Sequence, residues 1–370
     1  MATNRNRVIY SAAALFAGPT PASGAHMVSG NSGASLIKQV PRVQSVSLNF
    51  DVSRQDVNQF GQLVALDQII TEPPTVNADF SYLLTDGSSE SVLGFAIKGN
   101  TSFISGQLDG TQDEKNYFIQ LSPDGVDAIG DSNNNTKNVI AIGNGFLSNY
   151  AIDLAVGQLP TATLSIEGLN VKVDTGNNGS TIPAVNPTNG QPITQWNYQL
   201  PTAVAYTGAN IVAALRPGDI TFEFPNAAIG QILSGVGAIH PQSINISVPL
   251  ARENINQLGT TFAFAKVIQT PIQTTLSISA LSADVTSSNL ASIICNDQKN
   301  NFRIRMKNPA CGGTGTEAII LDFRGAKLQT QDFGLDIGSN STSNFTFVAQ
   351  LAGVSASVSD GFFLSGTYSG

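Results

Sequence analysis

The sequence predicts an all-β chain made of two tandem homologous β-sandwich domains. Three observations carry the prediction. Apolar residues alternate with polar ones at period two, one long block of sequence occurs twice, and charged residues make up only 12% of the chain. Period two puts successive side chains on opposite faces of a strand, so an alternating run marks a strand with one buried face. Few charges, with Ser, Thr, Asn and Gly in their place, suit strands and turns better than solvated helices. They also leave a surface short of the charge that keeps a free monomer soluble.

The alternation is plain in Val46, Leu48, Phe50 and Val52, in Ala78, Phe80, Tyr82 and Leu84, and in Ile152, Leu154 and Val156. It returns in Ile244, Ile246, Val248 and Leu250, and in Phe333, Leu335 and Ile337. Asp86-Gly87, Pro123-Asp124-Gly125, Gly143-Asn144-Gly145 and Gly312-Gly313 supply turn chemistry between such runs. Two packed sheets or a closed barrel would bury the apolar faces.

The duplication sets the domains. Residues 44–61 recur as 242–259, an offset of 242 − 44 = 198 that holds without a gap through Ile70/Ile268, Leu83/Leu281 and Asp86/Asp284. Leu147, Leu154, Gly157 and Thr161 match Leu328, Leu335, Gly338 and Thr342 at an offset of 181. The first copy therefore carries 198 − 181 = 17 additional residues, which the polar stretch 122–137 is expected to hold as a loop. A short upstream match sets Ala13-Ala14-Leu15 and Gly18 against Ala213-Ala214-Leu215 and Gly218. The expected division is a first domain over 1–173, a Pro- and Asn-rich linker with an added strand over 174–207, a second domain over 208–353, and a C-terminal strand and tail over 354–370 that could complete a neighbour's sheet.

Composition also bounds function. The net charge is −8 and basic residues never run together, which argues against tight nucleic-acid binding. Cys295 and Cys311 read as two reduced thiols, or as one local disulfide. The small-residue segment 8–17 follows Arg5 and Arg7 and can be read as a secretory leader, but the repeat favours a strand. No apolar run reaches the roughly 18 residues of a membrane span. His26 and His240 are the only histidines and sit in no nucleophile or metal motif. Asp113-Glu114 lies in a polar loop, and 131–135 lacks the Gly and the terminal Glu of a calcium loop. No catalytic, cofactor or metal site is expected, and the chain does not read as an enzyme.

Arg54, Asn58, Gln59 and Gly61 recur as Arg252, Asn256, Gln257 and Gly259. They form either a turn inside each domain, with Gly at positive φ, or a contact to the next domain or ring. Arg303 and Arg305 share one strand face, read either as a solvated edge strand guarded by positive charge or as a salt-bridge surface between subunits or rings.

Several blocks stand in order: Arg5 with Val8-Ile9-Tyr10, then 54–61, Glu72-Pro73-Pro74, 79–87, 143–150 and Ile166-Glu167-Gly168-Leu169-Asn170. Together they resemble the major tail (tail tube) proteins of tailed bacteriophages, over residues 5–170 with a weaker echo over 208–352. The resemblance implies a structural virion protein, assembled in the host cytoplasm, that forms stacked rings around passing DNA without binding it tightly. It implies partners in further copies of itself and in tape-measure, tail terminator and baseplate or tip proteins, with no membrane and no cofactor. Six domains per ring in that family imply three chains here, with pseudo-sixfold symmetry. Six chains per ring, with one copy away from the channel, is the rival arrangement. A tandem β-sandwich adhesin is the alternative function, and a β-fold hydrolase a third.

Overall fold

The computed structural model describes residues 13–19, 36–108, 113–123, 126–130, 137–176, 178–186, 189–193, 197–205, 214–223, 240–259, 262–263, 265–281, 299–310, 315–334, 341–351, 353 and 360–368. The chain is all-β and antiparallel. Its first half contains β1 (Ala13–Pro19), β2 (Lys38–Gln39), β3 (Val43–Asp51), β4 (Arg54–Val57), β5 (Asp67–Ile70), β6 (Thr75–Leu83), β7 (Glu114–Leu121), β8 (Asn138–Ala155), β9 (Thr161–Gly168) and β10 (Asn170–Thr175). Two short helices, α1 (Ser88–Leu93) and α2 (Ser105–Leu108), stand between β6 and β7. After β11 (Asn178–Thr181) and β12 (Asn197–Gln199) come β13 (Ile220–Glu223), β14 (Pro241–Pro249), β15 (Arg252–Ile255), β16 (Ala265–Ile268) and β17 (Gln273–Leu281). β18 (Asn300–Lys307), β19 (Glu317–Gly334), β20 (Thr342–Gln350) and β21 (Gly361–Gly366) close the chain.

Pairings in the first half recur in the second. β1·β7, β7·β8, β8·β10, β3·β6, β6·β9, β8·β9 and β4·β5 have counterparts in β13·β18, β18·β19, β19·β21, β14·β17, β17·β20, β19·β20 and β15·β16. β8 and β19 change neighbours midway, so each half is a sandwich of two sheets sharing one long strand. The first sheet is β1–β7–β8–β10, or β13–β18–β19–β21; the second is β3–β6–β9–β8, or β14–β17–β20–β19. Between them lies the core, with Tyr117, Ile119, Phe80, Tyr82, Tyr150 and Leu164 in one half and Phe302, Ile304, Leu276, Ile278, Phe345 and Phe347 in the other. Each such side chain contributes roughly 1.5–3 kcal/mol by leaving water.

Register corrects four expectations. Tyr117 faces Ile142 as Phe302 faces Phe323, so the offset there is 302 − 117 = 185. The additional residues therefore divide as 198 − 185 = 13 between β6 and β7, the segment that holds α1 and α2, and 185 − 181 = 4 in 122–137. Leu15 faces Ile119 as Phe222 faces Ile304, so β13 takes the place of β1 at an offset of 207, not at the expected 213–218. Gly143-Asn144-Gly145 is no turn but a kink inside β8, where Asn144 sits at φ 49. The Asn144 amide group holds that backbone by donating to Glu114 Oε1 (2.7 Å) and accepting from the Val185 N–H (2.8 Å). Finally, β18 lies between β13 and β19 and is not an edge strand.

Composition misjudged two connecting segments for one reason: it counts polar residues but not where the few apolar ones fall. β11 and β12 pair, and Ile182, Ala184, Tyr198, Leu200 and Ala203 pack on Phe16, Phe118, Val139 and Ala141 as a second buried cluster. The stretch read as a linker is thus a flap on the first sheet. The C-terminal strand β21 completes its own chain's sheet, not a neighbour's. Its carbonyls at Phe362 and Leu364 accept from Phe103 N–H (3.0 Å) and Gly99 N–H (2.9 Å), tying the chain's end to the α1–α2 segment.

Candidate assembly interface

The two halves meet edge to edge. β8 runs antiparallel to β14 from Asn149↔Pro249 to Ala155↔Ser243. The second sheets thereby fuse into one of eight strands, in the order β3–β6–β9–β8–β14–β17–β20–β19. At the joint the core-side pairs are Ile152 with Ile246 and Tyr150 with Val248, all 0% exposed. On the opposite face Asn245 Nδ2 donates to Asp153 Oδ1 at 2.5 Å.

That opposite face is mostly polar, with Ala151, Ala155 and Val348 as its apolar positions. Alternation puts Ser47, Asn49 and Asp51 there from β3, Asn77, Asp79 and Ser81 from β6, and Thr163, Ser165 and Glu167 from β9. Asp153, Ser243, Asn245 and Ser247 follow, then Thr275, Ser277 and Ser279, Asn344 and Thr346, and Asp332. Its charged strand residues are Asp51, Asp79, Asp153, Glu167 and Asp332, with one cation, Lys327, opposite Val348 on β19.

A hairpin locks the joint. β15 and β16 cross onto the first half, where the Arg252 side chain is 0% exposed. Its Nε donates to the Leu147 carbonyl (2.8 Å), Nη2 pairs with Asp113 (2.6 Å), and the guanidinium lies 5.0 Å from the Phe146 ring centre. Lys266 pairs with Glu167 at 3.2 Å. Gly259 turns the hairpin at φ 89, near Asn256 and Gln257 at its tip. The matching hairpin β4–β5 holds Arg54 exposed, with Asn58, Gln59 and Gly61 (φ 87) at an exposed tip. Phe60 and Leu63 at this tip are fully exposed, as is Leu258 on the other hairpin.

The strand β3 departs from its expected half-buried face. Val46 and Phe50 are 37% and 63% exposed, while their counterparts Ile244 and Val248 are 5% and 0% exposed. The cause is the neighbour: β14 has β8 alongside, whereas β3 pairs only β6 among the described residues. The half of β19 that corresponds to the joint half of β8 is likewise open on one side, and leaves Phe333 60% exposed.

Arg303 and Arg305 are engaged within the chain. Arg303 makes a two-pronged pair with Asp322 (2.5 and 2.9 Å), and Arg305 pairs with Glu223 (3.0 Å) and Glu317. Burial works to raise the Asp322 carboxyl, but donors from Arg303 and Arg324 hold it below its ordinary range on balance. Buried Glu90 of α1 accepts from Tyr82 (2.7 Å) and Tyr150 (3.1 Å). Burial pushes its carboxyl up against the lowering effect of those donors. No group of three His, Cys, Asp or Glu side chains among the described residues could hold a metal ion. Cys295, Cys311, His26 and residues 131–135 lie outside the described residues.

Sequence reasoning singled out Arg252 but missed Asp113, Phe146, Glu167 and Lys266 around it. The signal was the change from Gln68 to Lys266 at one repeat position, which gives only the second hairpin two cations on one face. No protein-family model and no curated protein matches the chain.

Proposed function

We propose that the chain is a structural subunit that closes into rings of three and stacks into a tube for DNA, as a phage tail tube protein does. The observation that carries this reading is the eight-stranded sheet with a polar face on which carboxylates outnumber cations, and a strand at each end that is open among the described residues. Curling that sheet head to tail removes both open edges, the usual hazard of such a surface. Three chains supply 3 × 8 = 24 strands. At about 4.8 Å between strands and a tilt of about 40°, these close at roughly 48 Å across the backbone, wider than a DNA duplex. The polar face lines the channel, where the excess of carboxylates repels phosphate and Ser, Thr and Asn carry no charge for it to settle on. The apolar tips at Phe60, Leu63 and Leu258 supply contact between stacked rings.

Electron cryomicroscopy of the purified chain tests this. The expected image is a tube with three chains per level and the polar sheet face inward. Six chains at one level, with half of each away from the channel, would replace the threefold arrangement. Globular monomers at every concentration and salt condition would sink the tube itself.

A further inference from the structure

From the geometry of the joint inside the chain, and resting on the ring reading above, we infer the joint between chains: β19 of one chain pairs antiparallel with β3 of the next, in the register of β8·β14, and the hairpin β4–β5 docks on the neighbour's second half. The register follows from the two repeat offsets. β3 lies 198 residues before β14, and the end of β19 lies 181 after the end of β8. The pairs Val248↔Tyr150, Ser247↔Ala151, Ile246↔Ile152 and Asn245↔Asp153 then map to Phe50↔Gln331, Asn49↔Asp332, Leu48↔Phe333 and Ser47↔Gly334.

Three independent features fit this register. Leu48 and exposed Phe333 stand where buried Ile246 and Ile152 meet, so the pair would seal an apolar face open in the single chain. Asn49 meets Asp332 on the polar face, repeating the Asn245–Asp153 hydrogen bond one pair along that face. Gln331 Nε2, in the place of Tyr150, is shut off from solvent with no acceptor among the described residues.

The hairpin has a receiving site as well. Lys327, Leu328 and Val348 hold the positions of Phe146, Leu147 and Glu167, and they line a cavity of about 470 Å³ with Lys299, Gly325 and Asp360. Arg54 would reach the Leu328 carbonyl as Arg252 reaches that of Leu147. The charges differ between the two joints: Arg54 keeps the cation of Arg252, but Gln68 and Val348 stand where Lys266 and Glu167 pair. Inside the chain a cationic hairpin, Arg252 and Lys266, meets Asp113 and Glu167. Between chains Asp56, which accepts from Gln68 at 2.9 Å, would stand near Lys327, as Lys266 stands 5.9 Å from the Phe146 ring centre inside the chain. The Asp56–Lys327 complementarity favours the first half of one chain against the second half of the next over like against like.

Paired cysteines test the register in the full chain with Cys295 and Cys311 replaced by Ser. Opposite residues on antiparallel strands lie about 4.5–5.5 Å apart at Cα, within disulfide reach. Under mild oxidation Leu48→Cys/Phe333→Cys or Asn49→Cys/Asp332→Cys should link chains into a closed three-chain species on non-reducing denaturing gels. The shifted pair Asn49→Cys/Thr330→Cys should link far less. In parallel, Asp56→Lys and Lys327→Asp should each impair assembly of a chain that keeps its circular dichroism, and together should restore it. Tubes that form with no link, or with equal linkage at the shifted pair, overturn the joint and leave the ring reading standing. Specific linkage that stops at six chains keeps the joint and overturns the three-chain ring. Absence of both tubes and links overturns both.

Discussion

Arg252 and Arg54 are the same residue of the repeat in two environments, and replacing each by Met should have unequal effects. Met keeps most of the apolar stem, so Arg252→Met removes mainly the charge. Two hydrogen bonds of a charged donor, to Leu147 and Asp113, go with it, as does the contact over Phe146. Charged hydrogen bonds contribute about 1.5–3 kcal/mol and a partly desolvated cation over a ring about 0.5–2 kcal/mol. Against this, Arg252 Nη1 is buried without a partner among the described residues, a cost that the substitution relieves. The net loss should be about 2–4 kcal/mol, concentrated at the joint. Arg54 is exposed in the single chain, so Arg54→Met should change its stability by no more than about 0.5 kcal/mol. Urea unfolding of unassembled chain gives the totals, and amide hydrogen exchange in β8 and β14 locates the loss. A double-mutant cycle with Asp113→Asn should return a coupling of about 1–2 kcal/mol. Equal losses at the two arginines, or unchanged exchange in β14 of Arg252→Met, would refute the reasoning.

Ile246→Asp puts a charge into a site 0% exposed and should abolish soluble folding, whereas Leu48→Asp, at the half-open β3, should fold yet fail to assemble; solubility and sedimentation separate the two. Glu90 has a folded-state pKa above its unfolded one, so its contribution to stability is full below the unfolded value and falls as pH rises through the folded value. Glu90→Gln, which keeps an acceptor for Tyr82 and Tyr150, should therefore flatten that decline and raise the melting temperature at neutral pH; an unchanged pH profile would show the wrong group was chosen. A Cβ at Gly143 would lie 2.4 Å from the Pro183 backbone, so Gly143→Ala should loosen the β11–β12 flap by about 1–3 kcal/mol and admit proteases there. An intact flap in Gly143→Ala would mean that β8 can shift to accommodate it.

The strands were legible because alternation and a gapless offset are local signals. The 198-residue spacing alone places β14 to β17 on β3 to β6. What escaped was set by tertiary neighbours. Leu48 and Ile246 have the same alternation in sequence, and only the presence of β8 beside β14 makes one buried and the other half open. Asn144 between two glycines has turn chemistry, but its amide found partners at Glu114 and Val185, which a local reading has no means to see. The segment 178–203 has the polarity of a linker, yet Ile182, Ala184, Tyr198, Leu200 and Ala203 dock on the first sheet.

The ladder between β8 and β14 joins two parts of one molecule, and this governs how assembly responds to dilution. A tethered partner is present at an effective concentration on the order of millimolar or above, whatever the amount of protein in solution. That ladder therefore does not obey mass action, and diluting the sample leaves it closed. Any contact made through β3 and the end of β19 joins separate molecules and weakens as the protein is diluted. In a ring of three chains only alternate joints carry this dependence. Salt, pH and protein concentration would then control growth through one kind of contact, while the other half of the ring stays prebuilt in every free chain.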